Sequence, residues 1–340
     1  MPSTTAPYAD AHVDTKGPGD ARPTALQILK DEDMVGNMTG KTVLITGCSS
    51  GIGVETARAL HHAGADVYMT VRKMAQGESV RQSILASSPG KGKLELIDLD
   101  LSSLNSVRTG AAAFLSKSKQ LNVLITNAGV MAVADRQLTP DGHEMQFGTN
   151  HLAHFLLFQL LKPTLLSSST ADFNSRVVAL TSCGHRISPE HLDNLTLEGK
   201  YDPWVSYGQS KTANIHMANH IERLYSSRGL HALSVHPGGI MTELSRHMDA
   251  SAVAGWEKPE TVAIMKSVEQ GAATSVWAAV AKVFEGNGGK YLEDCSVAEP
   301  VKPELMYDLT KPGYAPHAYD EERERKLWEV SCELVGVKDE

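Results

Sequence analysis

Tyr207 and Lys211 stand four positions apart in an apolar-periodic stretch, Ser206 to Tyr225, so a helix there sets both polar ends on one face. A phenol that exchanges a proton with an alkoxide near neutral pH needs its pKa, about 10 when free, lowered by nearby positive charge. Lys211 would supply that charge. Tyr-x-x-x-Lys alone is common by chance, so its weight depends on what surrounds it. Ser182 follows a β-branched run, Arg176 to Thr181, and would bring a hydroxyl to a strand end, where it can donate to a developing oxyanion. Thr181 alternates to the other face. His185 invites a Ser-His hydrolase reading, but no Gly-x-Ser-x-Gly turn surrounds Ser182, so hydrolysis is not expected.

A second constellation lies upstream. Val43, Leu44 and Ile45 run directly into Thr46, Gly47, Cys48, Ser49, Ser50, Gly51, Ile52 and Gly53, followed by helical periodicity to Ala63. Glycines in such a turn let the backbone approach a pyrophosphate, and the amides opening the helix stabilise its charge. The spacing is not the familiar Gly-x-Gly-x-x-Gly, so on these residues alone a purely structural turn is equally good. An NAD site would carry an acidic residue at the end of the second strand. This chain has Val71, then Arg72 and Lys73, cations suited to a 2′-phosphate; NADP(H) is the expected cofactor, against the plainer reading of Arg72 as a solvated turn residue.

Thr46 to Gly53 resembles the signature of the short-chain dehydrogenase/reductase superfamily, and further motifs in the same order extend the likeness. Asp100 and Leu101 are similar to the pair that meets the adenine ring, with Asp98 as a competitor and a helix N-cap as the alternative, a task Ser102 or Ser103 fills better. Asn127, Ala128 and Gly129 resemble the family's Asn-Ala-Gly motif, although Thr126 departs from a frequent double asparagine. Phe147 to Phe155 is similar to the helix carrying a fourth catalytic residue, here Asn150, whose side chain would hold a water relaying protons from Lys211; a cap or kink is the structural alternative. Pro237 and Gly238 look like the family's Pro-Gly turn, after which Ile240 and Thr242 would hold the nicotinamide carboxamide and orient the ring.

The resemblance implies that Ser182, Tyr207, Lys211 and Asn150 are catalytic and that Gly47, Ser49, Ser50, Gly51, Ile52 and Gly53 contact the cofactor. Lys211 would also bind the nicotinamide ribose, and Tyr207 would lie beside the same ring. Ser182 and Tyr207 are 25 positions apart, a longer spacing similar to the retinol-dehydrogenase-like and WW-domain-oxidoreductase-like branch. A stretch from Ser267 to Thr274 also resembles the family. The implied chemistry is hydride transfer between nicotinamide and a carbonyl or alcohol carbon, tilted toward reduction. A repurposed scaffold, epimerase, cyclase or binding protein, is the alternative.

These residues must be positioned by alternating strands and helices. Strand patterns cover Thr42 to Thr46, Asp66 to Val71, Leu94 to Asp98, Asn122 to Thr126, Arg176 to Thr181, Leu230 to His236 and Lys290 to Leu292. Helical periodicity is clearest over Gly51 to Ala63, Leu104 to Ser116, Asn150 to Leu161, Ser206 to Tyr225 and Ser267 to Phe284. The expected fold is α/β: a single Rossmann-type doubly wound domain, a seven-stranded parallel sheet with helices on both faces. Residues 39–311 would form it, with 1–38 an N-terminal extension and 312–340 a tail whose helix, Tyr319 to Val335, packs back through Leu327, Trp328, Val330 and Leu334.

Two weakly patterned stretches, Cys183 to Ser206 and Met241 to Pro259, would shape the substrate side, the second as a lid. Met131, Cys183, Trp204, Met241, Leu244 and Met248 make an apolar, adaptable pocket for a lipid-like, retinoid-like or aromatic/polyketide ketone or alcohol. The chain's net charge of −8, without a basic stripe, argues against nucleic acid. Cys48, Cys183, Cys295 and Cys332 are widely separated, which argues against zinc and disulfides and for a reducing compartment. His216 and His220 have a ligand-like spacing but lack a third partner, so no metal is expected and surface or interface positions are. No apolar run approaches membrane-spanning length and the first 38 residues lack a leader's apolar core, so a cytoplasmic protein is expected. By the resemblance, a homodimer would form through the helices near Asn150 and Tyr207.

Overall fold

The structure, a computed structural model, describes residues 5–248 and 250–338. Its strands are β1 Thr42–Ile45, β2 Asp66–Val71, β3 Leu94–Asp98, β4 Val123–Thr126, β5 Ser175–Leu180, β6 Leu230–His236, β7 Lys290–Glu293 and β8 Ser296–Val297. They form one sheet in the order β3-β2-β1-β4-β5-β6-β7-β8. The first seven are parallel, and β8 adds an antiparallel edge. The sequence pattern shows seven strands because β8 has only two residues; Asp294 and Cys295, both at positive φ, turn the chain back to make it.

Successive strand side chains enter opposite cores. Val43 and Ile45 join the core on one face and Leu44 the other; Val178 and Leu180 oppose Val177 and Ala179. Burial on both faces explains why these strands read as unbroken apolar runs. The first core is covered by α1 Ala25–Asp31 and α2 Ile52–His62, and by α9 Val268–Gly271 and α10 Ala273–Val280, with α3 Met74–Ser87 over β2 and β3. The second is covered by α4 Leu104–Lys117, α5 Ala153–Ser168, α6 Pro203–Tyr225 and α11 Glu321–Val335. A short helix, α7 Ala250–Trp256, lies in the stretch expected to be a lid, and a second, α8 Pro259–Ile264, begins at its last residue.

Helix α3 has no strong periodicity and buries only Gly77 and Ile84, so it carries little signal in the sequence. The single helix expected over Ser267 to Phe284 is interrupted: Ser267 and Gln270 form a capping box for α9, and Ala281 turns extended after α10. Ahead of α5, residues Gly148–Leu152 form a π-helical turn that includes Asn150. No helix among the described residues is long and apolar enough to cross a membrane.

Both terminal segments join the domain's cores. Helix α1 contributes Ala25, Ile28 and Leu29 to the first, and Glu32 accepts a hydrogen bond from Trp277 Nε1 at 3.1 Å. Helix α11 contributes Leu327, Trp328, Cys332 and Val335 to the second; Val330 and Leu334 are only half-buried. The Trp328 ring meets Phe155 edge-on at 4.9 Å and Phe158 at 6.1 Å. Trp328→Ala is expected to cost about 3–5 kcal/mol of folding stability, as large-to-small changes in cores do, measured by urea unfolding. A loss under about 1 kcal/mol would show that α11 merely lies on the surface.

Candidate active site

The carboxyl ends of β1, β4, β5 and β6 open onto one cavity of about 440 Å³. At its floor β1 turns through Gly47 (φ 74) and Gly51 (φ 64) into α2, whose N-cap position has no side-chain hydrogen bond. A Cβ on Gly53 would collide with Gly47 O and lie 2.6 Å from Asn127 Nδ2. The turn is therefore open to an anion at its amides and closed to bulkier residues, a cradle that fits a pyrophosphate. Gly47, Ser49, Ser50, Gly51, Ile52 and Gly53 all line the cavity.

A buried chain of hydrogen bonds fixes this turn to the next strands. Asn127 Nδ2 donates to Thr46 O at 2.8 Å, and Ala128 N donates to Thr46 Oγ1 at 3.0 Å. His154 pairs with Thr46 Oγ1 through Nε2 at 2.9 Å and with Asn150 O through Nδ1 at 2.8 Å. Because Asn150 O can only accept, Nδ1 carries the ring proton and the Thr46 hydroxyl donates to Nε2. Burial keeps His154 neutral, its pKa lowered to about 4.

Asn150, fully buried, donates from Nδ2 to Val130 O and Ser210 Oγ, both at 2.9 Å, and accepts Val130 N on Oδ1 at 2.8 Å. These bonds stitch the π turn to the segment after β4. Oδ1 keeps one lone pair beside Gly129, on the side where Lys211 Nζ also approaches, so a relay water would have that lone pair to bind.

Tyr207 and Lys211 face the cavity from the first turns of α6, which Asp202 caps by accepting from Trp204 N and Val205 N. Tyr207 is 4% exposed, and its ring and Ser182 Oγ both lie beside Gly184. Ser182 Oγ accepts Gly184 N at 3.0 Å. The Lys211 ammonium donates to Leu180 O at 3.2 Å and lies 5.5 Å from the centre of the Tyr207 ring. Thr181 Oγ1 donates to Lys211 O, a fixing contact rather than one at the cavity's reacting end. Burial dominates at the Tyr207 phenol and pushes its pKa up, with the Ser182 hydroxyl opposing. Burial also lowers the Lys211 pKa to about 8.

Arg72 lines the far end of the cavity with Asp100 and Leu101, whereas Lys73, at the N-cap of α3, is not part of the lining. Asp100 Oδ1 accepts both N and Oγ of Ser102, and Ser103 caps α4. Asn127, Ala128, Gly129, Pro237, Gly238, Ile240 and Thr242 line the cavity, as do Met131, Cys183, Trp204 and Leu244. Met248 packs in an apolar cluster with Tyr207, Met131 and Trp256. Met241 does not belong to this wall: it is 48% exposed, whereas its neighbours Ile240 and Thr242 line the cavity, because the irregular segment here turns a different face outward.

Other wall residues had no motif to reveal them: Met145 before α5, Ile264 and Met265 at the end of α8, and Leu309 and Thr310 near the tail. Arg246 also lines the cavity; partial burial and then the charge of Arg72 hold its guanidinium below its usual pKa. His185 bonds to Ser182 O rather than to the hydroxyl and accepts Ala315 N on Nε2, so it holds loops together. His216, expected at a surface or interface, is instead buried, 2.7 Å from Glu190 and bonded to His317 O. His220 packs against Trp328 with the ring centres 4.8 Å apart and the planes tilted by 45°.

A strand, glycine turn and helix built for a dinucleotide, beside a serine, tyrosine and lysine sharing one cavity, define the class of dinucleotide-dependent oxidoreductases. The short-chain dehydrogenase family model matches residues 41–252, and the chain belongs to the short-chain dehydrogenase/reductase family, in its retinol-dehydrogenase-like branch. It is 50% identical to the short-chain dehydrogenase/reductase prx1 of Penicillium roqueforti over 98% of this chain and 96% of that protein. To human retinol dehydrogenase 11 it is 37% identical over 88% and 87%. A crystal structure of an uncharacterized Mycobacterium paratuberculosis protein superposes with a TM-score of 0.67 at 31% identity, covering 88% of this chain and 95% of that one. The protein is therefore an oxidoreductase that uses a nicotinamide cofactor.

The buried Lys211 charge has a measurable cost. Its pKa is lower in the folded chain than the ordinary 10.5, so folding is opposed at all pH below about 8 and the opposition is relieved as pH rises from 8 toward 10.5. Lys211→Met is expected to gain roughly 3 kcal/mol of stability at pH 7, an advantage that shrinks toward pH 10 in urea titrations. An advantage independent of pH would show that Lys211 is not the group responsible.

Proposed function

We propose that this protein is an NADP(H)-dependent carbonyl reductase acting on an apolar ketone or aldehyde, with Tyr207 as general acid and general base in the reverse direction. The observation that carries the reading is Tyr207 itself: a buried phenol on the wall of an apolar cavity, with the Lys211 ammonium 5.5 Å from the centre of its ring. Reduced nicotinamide, when bound, supplies the hydride. The rest is done by the chain. Ser182 and Tyr207 are placed to donate to one carbonyl oxygen, which positions it and favours negative charge on it. Burial keeps the Tyr207 proton in place until that charge develops, which suits the reducing direction. Lys211, still largely protonated at neutral pH, then favours the phenolate. A water on the remaining lone pair of Asn150 Oδ1 would return the proton.

Arg72 supports NADP(H) over NAD(H): it lines the cavity just beyond β2, where an acidic residue would instead grip ribose hydroxyls. Met131, Trp204, Leu244 and Trp256 around Tyr207 support an apolar substrate. The glycine-turn residues, Asp100, Leu101, Asn127 to Gly129, Pro237, Gly238, Ile240 and Thr242 are assigned to the cofactor on their place in the lining.

NADPH absorbance decay with a panel including decanal and all-trans-retinal tests the chemistry. Tyr207→Phe should lower kcat by about 10²–10⁴, the usual worth of a positioned acid. Full activity in that variant would remove Tyr207 from the mechanism. Arg72→Ala should weaken NADPH about tenfold or more while leaving NADH nearly unchanged. Equal losses for both would overturn the cofactor assignment.

A further inference from the structure

The N-terminal segment lies outside residues 41–252, the family's matched region, yet Arg22 within it is hydrogen-bonded to two residues that line the cavity, Ile264 and Met265. Gly17 and Gly19, both at positive φ, fold the chain back so that Gly17 abuts the backbone of Val262 in α8. Arg22 then crosses to the end of that helix. It is 4% exposed, donating from Nη1 to Ile264 O at 2.8 Å and from Nη2 to Met265 O and Gly17 O, while Nε pairs with Asp20 at 2.8 Å. Carbonyls at a helix's last turn have no partner within the helix, and a cation there also opposes the helix dipole favourably.

Gln270 locks the same crossing. Its Oε1 accepts Gly19 N and Ser267 N, and its Nε2 donates to Asp20 O and Arg22 O. Beyond the two carbonyls held by Arg22, the chain continues into the site. Ile264 and Met265 line the cavity. Lys266 N donates to Gly239 O at 2.8 Å, and the Lys266 side chain packs behind Gly238, where a Cβ would meet its Cδ at 2.9 Å. Lys266 Nζ is in turn paired with Asp294 at 2.7 Å, and His12 of the N-terminal segment approaches the same carboxylate at 3.7 Å.

We infer that Arg22 is a positioning residue of the active site: it anchors the carboxyl end of the covering segment and, through Met265 and Lys266, the turn at Gly238 and Gly239. The inference rests on the proposed reading of this cavity as the redox site. The planar guanidinium serves three carbonyls and a carboxylate at once; an ammonium has only three donors for these four acceptors, so Arg22→Lys is a partial loss. Arg22→Met alone takes the charged partner from the Asp20 carboxylate, leaving it only neutral donors, and the double variant Asp20→Asn/Arg22→Met avoids that.

Both variants of the full chain are compared with wild type by amide hydrogen exchange and by reduction of all-trans-retinal with NADPH. Amides from Thr261 to Ser267 should exchange about tenfold faster or more in the double variant, the loss of charged hydrogen bonds setting the scale. The sheet strands should keep their protection. Retinal KM should rise and kcat/KM fall about tenfold, with the lysine variant between, while NADPH Kd from tryptophan quenching rises less, within about threefold, because the glycine turn and Arg72 are untouched and only the cofactor contact at the Gly238 turn is loosened.

Unchanged exchange over 261–267 overturns the anchor. Faster exchange with wild-type kcat and KM overturns its role in the site. Faster exchange everywhere, with NADPH binding lost in step, also overturns it, because a general stability role predicts that pattern. A wild-type enzyme that reduces no carbonyl counts against the redox reading instead, and the exchange arm still decides the anchor.

Discussion

A parallel sheet covered on both faces leaves its polar side chains no favourable place except the strand ends. All positions of β1, β4 and β5 are buried, and the chemistry-bearing groups stand at or just past their carboxyl ends: Thr46, Asn127 and Ser182. Since β1 lies between β2 and β4, the strand order reverses there and these ends open onto one crevice. Arg176, at the opposite end of β5, shows what departure from the rule requires. Its guanidinium is fully buried and is held by Glu285 and Ala278 O.

Within the crevice the polar groups are held by one another before any ligand is considered. Thr46, His154, Asn150, Val130 and Ser210 form a continuous series of hydrogen bonds from the glycine turn to α6. The neutral state of His154 is part of that series, since a second ring proton would face a hydroxyl that is already donating. Lys211 is the exception: a buried ammonium with one carbonyl and one aromatic ring near it, a poor environment for its own charge and a useful one for a phenolate. Stability is given up at the residue where the chemistry needs a cation.

The walls of the cavity follow a different rule. They come from irregular segments and short helices, among them 241–265 and 309–310, together with the turn that begins α6. Such segments have few core obligations, so they depend on outside ties. Arg22 and Gln270 hold one end of the 241–265 segment, and buried contacts among His185, His317 and Ala315 hold the tail near Ser182. Chain outside the family's matched region thus fixes surfaces that a substrate would touch.

The sequence alone determined the parallel α/β fold, the glycine turn, and the order in which Ser182, Tyr207 and Lys211 occur, because apolar period, glycine spacing and a four-residue helical repeat are local properties of a chain. It also set apart the unpatterned stretches that form the walls. Three things it could not decide. The direction of the Tyr207 pKa shift depends on burial summed over several elements, which no local spacing encodes. The fate of Met241, outside the wall while its neighbours are in it, depends on which face an irregular segment presents. Arg22, 242 positions from the carbonyl of Ile264, has no local signal at all, since only the folded backbone brings a guanidinium and the end of a distant helix within hydrogen-bonding reach.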